Sequence, residues 1–106
     1  MSFQLGSSLL DACVLAVLAK DDAYGYSLTQ QVREVMDISE STLYPVLRRL
    51  QKKEYLTTYD RPFQGRNRRY YRITDSGMET LQELRKEWVE HKLKIDSVIL
   101  GGINDE

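Results

Sequence analysis

Between Ser39 and Thr74 the periodicity of the chain switches from helical to extended, and that switch limits the folds open to it. Leu43, Val46, Leu47 and Leu50 fall on one face of a helix that follows the turn Asp37-Ile38-Ser39 and runs to about Glu54. The opposite face carries Ser41, Tyr44, Arg48, Arg49 and Lys52. Pro45 lies within this helix, lacks an amide donor and predicts an irregular first turn. Directly after it, residues 55–60 and 69–74 are rich in Tyr, Thr and Ile, whereas Pro62, Gly65 and Asn67 lie between them. This pattern predicts two strands joined by a polar, basic hairpin loop.

The flanking segments fix the rest of the architecture. Ser8 and Asp11 have the spacing of a helix start, and the helix they open is apolar on nearly all sides from Leu9 to Ala19. After Asp21 and Asp22 a second helix is expected from Gly25 to about Met36. Ser27 and Gln30 stand at capping-box spacing, and Leu28, Val32 and Val35 form its buried stripe. A long helix follows from Asp75 to about Leu100, opened by Thr74 or by the Ser76/Glu79 pair and stopped by Gly101-Gly102. The expected fold is α+β and mainly α: a winged helix-turn-helix over residues 1–74, then a long C-terminal dimerisation helix with a short tail over 75–106.

The chain's net charge of −1 conceals a strong asymmetry. From Tyr44 to Arg72 nine basic residues face two acidic ones, a local +7, while the remainder carries six basic and fourteen acidic residues, or −8. A block of this kind suggests a basic face aimed at a polyanion, although a merely solvated charged face gives the same count. A groove-reading helix needs short polar residues near its start, which Ser39, Ser41, Thr42 and Tyr44 supply, and long cations further along, which Arg48, Arg49 and Lys52 supply. Arg66, Arg68 and Arg69 beside Gly65 form a hairpin tip suited to phosphates or a narrow minor groove. Winged helices also serve as protein-interaction modules without sequence-specific DNA binding, and that alternative stays open here.

These residues also resemble a known family. Gly25-Tyr26, then Ser41-Thr42-Leu43-Tyr44-Pro45 with Leu47-Arg48-Arg49-Leu50, then residues Gly65 to Tyr71 and Ile73 to Gly77, look like the PadR family of bacterial transcriptional regulators. The resemblance covers nearly the whole chain. It implies a dimeric repressor of a palindromic operator in double-stranded DNA, released by a small effector; the lack of a membrane-span or signal-peptide pattern separately predicts a cytoplasmic protein. By position it implies DNA contacts from Tyr44, Arg48, Lys52, Gly65, Arg66, Arg68 and Arg69. The family commonly has Gly where this chain has Glu54.

In the last helix Leu81, Leu84, Trp88, His91, Ile95 and Val98 recur at alternating gaps of three and four, the seam of a helix that packs on another helix. So long a seam exceeds what a small domain can cover, which points to a homodimer; a coiled coil with another protein gives the same pattern. Trp88 and His91 are its unusual members. They are either interface packing or, as in the short-helix, multidrug-sensing members that the chain resembles here, the lining of an effector slot between subunits. In those members the residue four positions after the Trp is acidic; here it is Lys92, with Asp11 on the first helix as a substitute acidic wall. The effector expected there is a small aromatic compound.

Other functions have little support in the sequence. One His, one Cys and no phosphate-binding glycine loop argue against an enzyme, and no metal or cofactor is expected. Cys13 reads as a small buried apolar residue. The longest apolar run contains Asp11, is too short to span a bilayer and has no basic residue before it, so neither a membrane span nor a signal peptide is expected.

Overall fold

The computed structural model describes residues 6–101. Its elements are α1 (Ser7–Lys20), β1 (Ala23–Tyr24), α2 (Gly25–Arg33), α3 (Glu40–Lys52), β2 (Leu56–Phe63), β3 (Arg66–Ile73) and α4 (Asp75–Ile99). The sheet is antiparallel in the order β1-β3-β2. This is the expected mainly helical winged fold, with one strand more than the sequence predicts. β1 has only two residues, pairing Ala23 with Tyr71 and Tyr24 with Tyr70. So short a segment has no period of its own and becomes a strand only where β3 offers an edge.

The helices begin and end for identifiable reasons. α1 starts at Ser7 with no side-chain cap, so Ser8 and Asp11 do not form the expected box. α2 follows β1 directly and also lacks a side-chain cap. Ser27 instead accepts a hydrogen bond from Gln31 at 3.1 Å, and Thr29, fully buried, donates to the Tyr26 carbonyl at 2.8 Å. α2 ends at Arg33, three residues before the predicted end, which leaves Val35 71% exposed rather than buried. α3 is capped by Ser39, whose hydroxyl accepts from the Thr42 amide at 3.2 Å. The Thr42 amide also reaches the Ser39 carbonyl, a tightened i→i−3 contact in the first turn, and the helix then runs on through Pro45. α4 is capped by Thr74, which accepts from the Gly77 amide at 3.0 Å.

Between α3 and β2 the chain turns at Glu54, which has φ 65°. The Tyr55 amide bonds back to the Leu50 carbonyl and the Glu54 amide to the Gln51 carbonyl, the two bonds of a Schellman ending. That ending needs a left-handed residue, which explains the family's preference for Gly here and shows that Glu54 adopts the same geometry. The wing also differs from expectation. Its strands extend to Phe63 and Arg66, and the connection is a two-residue turn, Gln64 and Gly65, both at positive φ. Pro62 fits because β2 is an edge strand, where a missing donor costs little.

One core unites the helices and the sheet. Leu10, Val14, Leu15 and Leu18 of α1 pack with Leu28, Val32, Leu43, Leu47, Leu50, Leu56 and Leu81, all buried. Cys13 is half-buried at its margin, and burial pushes its thiol pKa up. α4 joins the core only through its first turns. Its 25 residues span roughly 38 Å at about 1.5 Å each, so the helix accounts for much of the molecule's 61 Å length.

Candidate nucleic-acid interface

The exposed face of α3 presents Ser41, Thr42, Tyr44, Arg48 and Lys52 to solvent. Ser39, Ser41 and Thr42 form a hydroxyl cluster at its start, with Ser39 Oγ 2.9 Å from Ser41 Oγ and 3.0 Å from Thr42 Oγ1. Ser39 is therefore engaged as the helix cap, and Ser41 and Thr42 are the outward hydroxyls. Arg49 departs from the sequence expectation. Its guanidinium turns inward to Asp11 on α1, with Nη1 donating at 3.1 Å and Nη2 at 2.6 Å. Both partners are thus engaged within the chain: Arg49 is ion-paired although its side chain is 38% exposed, and Asp11 is not a free acidic wall. Adjacent helical residues lie about 100° apart, so Arg48 and Arg49 have to face different surroundings.

An open groove of about 700 Å³ separates α3 from the wing. Tyr44 lines it from α3, Gly25 and Tyr26 from the start of α2, and Arg66, Arg68 and Arg69 from β3. Tyr71 forms part of its wall, and burial raises the pKa of its phenol. Tyr26, 60% exposed, belongs to this groove although the sequence reading did not select it as a contact. Its place beside Gly25 in the family-like motif was the available signal.

The wing arginines, alike in sequence, occupy different settings. The Arg68 guanidinium lies between two rings, 4.0 Å from the Tyr24 centroid and 3.6 Å from that of Phe63. This stacking ties the wing to β1. Arg69 makes a long contact of 3.5 Å to Asp60. Arg66 has no ion pair among the described residues, and Gly65 is exposed at the turn. Further along β3, Arg72 donates to Asp22 at 3.1 Å, and the Tyr59 hydroxyl donates to the same carboxylate at 2.6 Å. That bond favours the neutral phenol and pushes the Tyr59 pKa up. Two cations of the basic block, Arg49 and Arg72, are thus balanced by acids from the N-terminal part of the chain. The uncompensated charge is concentrated on α3 and the wing tip.

The second candidate region is α4. Trp88 is 36% exposed and its ring lies 6.2 Å from that of His91. Lys92 reaches along the helix to Asp96 at 3.2 Å. The predicted seam divides here. Leu81 is buried in the chain's own core and Leu84 packs against it, whereas Ile95 and Val98 are exposed. Leu81 is therefore a correction to the interface set, because the first turns of α4 already pack on α1. Val89, Leu93 and Ile99, outside the predicted seam, are exposed apolar residues of the same helix. Among the described residues no helix is long and apolar enough to cross a membrane, and no group of three metal-ligating side chains converges.

With this geometry in place, the chain can be compared with known proteins. Residues 14–83 match the model of the transcriptional regulator PadR-like family. The chain is 36% identical over 90 residues to Transcriptional regulator Rv3488 of Mycobacterium tuberculosis, covering 84% of this chain and 80% of that protein. The crystal structure of smu.1704 from Streptococcus mutans UA159 superposes with a TM-score of 0.84 at 42% identity, covering 98% of both chains. A PadR family transcription regulator from Clostridium difficile R20291 superposes at 0.75 with 32% identity, over 86% of this chain and 97% of that one.

Proposed function

This chain belongs to the PadR-like family of transcriptional regulators, and on that premise we propose that it is a homodimeric repressor of a palindromic operator. The observation that carries the reading is the groove shared by Tyr44 of α3 and Arg66, Arg68 and Arg69 of the wing. α3 enters the major groove, with Ser41, Thr42, Tyr44 and Arg48 toward base edges and Lys52 toward the backbone. The wing tip, led by Arg66, follows the adjacent phosphates. Residues up to Thr74 do this work, and α4 supplies self-association. A single chain leaves Trp88, Ile95 and Val98 uncovered, and a second copy related by a two-fold axis covers them most economically. It also places two recognition helices about one DNA turn, roughly 34 Å, apart.

Titration against a duplex from the chain's own promoter at several salt concentrations tests the reading. Affinity should fall steeply as salt rises, because bound cations release the counterions of the phosphates they neutralise. A weak, flat response would favour a winged-helix protein-interaction module instead. In the same proposal Trp88 and His91 from both copies line the slot for a small aromatic effector. Such a compound should quench Trp88 fluorescence with one event per dimer and loosen the DNA complex; quenching without loosening would remove the regulatory role.

A further inference from the structure

We propose that the Asp11–Arg49 ion pair sets the seating of α3 on α1 and thereby the preference for operator over non-cognate DNA. Both are positioning residues, and neither touches the DNA. The inference rests on α3 as the groove-reading helix.

The geometry separates this pair from the other ion pairs of the molecule. Asp11 and Arg49 are 38 residues apart in sequence and meet through two hydrogen bonds, one at each carboxylate oxygen. The Asp11 side chain is only 17% exposed, compared with 27–50% for the acids in the other four pairs. α3 otherwise contributes Leu43, Leu47 and Leu50 to the buried core that it shares with α1. Apolar contact holds a helix down but is non-directional, so it resists sliding and rolling weakly. A two-point guanidinium–carboxylate fork has a fixed plane and a fixed distance, and supplies the direction that the leucines lack.

Its place on the helix gives this constraint a consequence. Arg49 follows Arg48 and is one turn beyond Tyr44 and Pro45, so any roll of α3 about its axis moves Tyr44 and Arg48 relative to the wing across the groove. Sequence-specific contacts depend on that placement to within about an ångström. Loose electrostatic attachment to any duplex does not. The clamp therefore acts on discrimination more than on general affinity.

The test is a double-mutant cycle on the full chain, read by fluorescence anisotropy on a promoter duplex and on a scrambled duplex of equal length, with thermal unfolding alongside. Asp11→Asn keeps the shape and removes the charge. Operator affinity should fall by roughly tenfold while scrambled-duplex affinity and the salt slope stay at wild-type values. Arg49→Gln should give the same fall, and the double variant should be no worse than either single one. Arg49→Lys, which keeps the charge but loses the fork, should resemble Arg49→Gln and carries the comparison if Asp11→Asn fails to fold. The proposal is overturned if Asp11→Asn tightens binding, or if Arg49→Gln lowers the salt slope by about one, since Arg49 would then be a phosphate contact restrained by Asp11. Wild-type affinity in Arg49→Lys would overturn it as well. A wild-type chain with no operator preference and no salt dependence would instead remove the DNA reading beneath it.

Discussion

The winged part of the chain and the distal half of α4 treat apolar residues in opposite ways. From Leu10 to Leu81 nearly all the large aliphatic residues join a single core, Val35 being the exposed exception, and most are less than 3% exposed. Beyond Leu81 no described residue is buried, and Trp88, Val89, Leu93, Ile95, Val98, Ile99 and Leu100 range from 36% to 80% exposed. The first region satisfies its hydrophobic surface within one chain. The second carries a contiguous apolar helix surface that this chain leaves uncovered, the mark of an interaction site. Stability therefore belongs to the winged part, and the distal helix adds little to the chain's own core. The two join at a rigid corner, where Thr74 and Ser76 both donate to the Glu54 carbonyl, at 2.6 and 3.0 Å, and the Thr74 amide donates to that of Tyr55.

Substitutions along the chain should reproduce this division in unfolding free energy. The largest loss is expected at the corner itself. A Cβ on Gly77 would stand 2.2 Å from the Tyr55 carbonyl oxygen and 2.8 Å from Ile73 Cγ1. Backbone cannot yield as a flexible side chain does, so Gly77→Ala should cost more than about 4 kcal/mol in chemical denaturation or prevent folding. Wild-type stability in that variant would show that the corner is softer than its packing suggests. Next comes Leu47→Ala, which leaves a cavity under α3 and should cost about 2–5 kcal/mol. A loss below about 1 kcal/mol would mean that the winged part does not depend on a close-packed core.

A smaller effect, of opposite sign, is expected at Glu54. Its left-handed backbone is strained for a residue with a Cβ, so Glu54→Gly should raise stability by about 1 kcal/mol. A decrease would show that the Glu54 side chain contributes more than its backbone costs. The smallest change in single-chain unfolding belongs to the distal helix. Val98, 80% exposed, has little within the chain to lose, and Val98→Ala should alter unfolding of the isolated chain by less than about 0.5 kcal/mol. Any further loss should depend on protein concentration, as an association equilibrium requires. A concentration-independent loss as large as that of Leu47→Ala would break the comparison between the two regions.

Legibility in the sequence followed the range of the interactions. The helical stripe Leu43, Leu47, Leu50, the cap Thr74, and the β-rich segments flanking the hairpin were readable because each depends on residues within about four positions of one another. The hairpin was placed correctly but drawn too loose: Pro62 and Asn67 look like loop residues in sequence, yet they face each other across a two-stranded ribbon. On α4 the alternation of threes and fours continues unbroken from Leu81 to Val98, and nothing in it marks where intrachain burial ends.

The sequence by itself determined the order of the four helices and the hairpin, the basic block from Tyr44 to Arg72 and the apolar period of the last helix, because composition and short-range spacing are properties of the chain alone. Only the tertiary structure decided how the cations divide. It sends Arg49 to Asp11 across 38 residues and Arg72 to Asp22 across 50, stacks Arg68 between Tyr24 and Phe63, and leaves Arg48, Lys52 and Arg66 exposed. Arginines of equal charge differ in what they face, and what a side chain faces is set by how distant segments pack together.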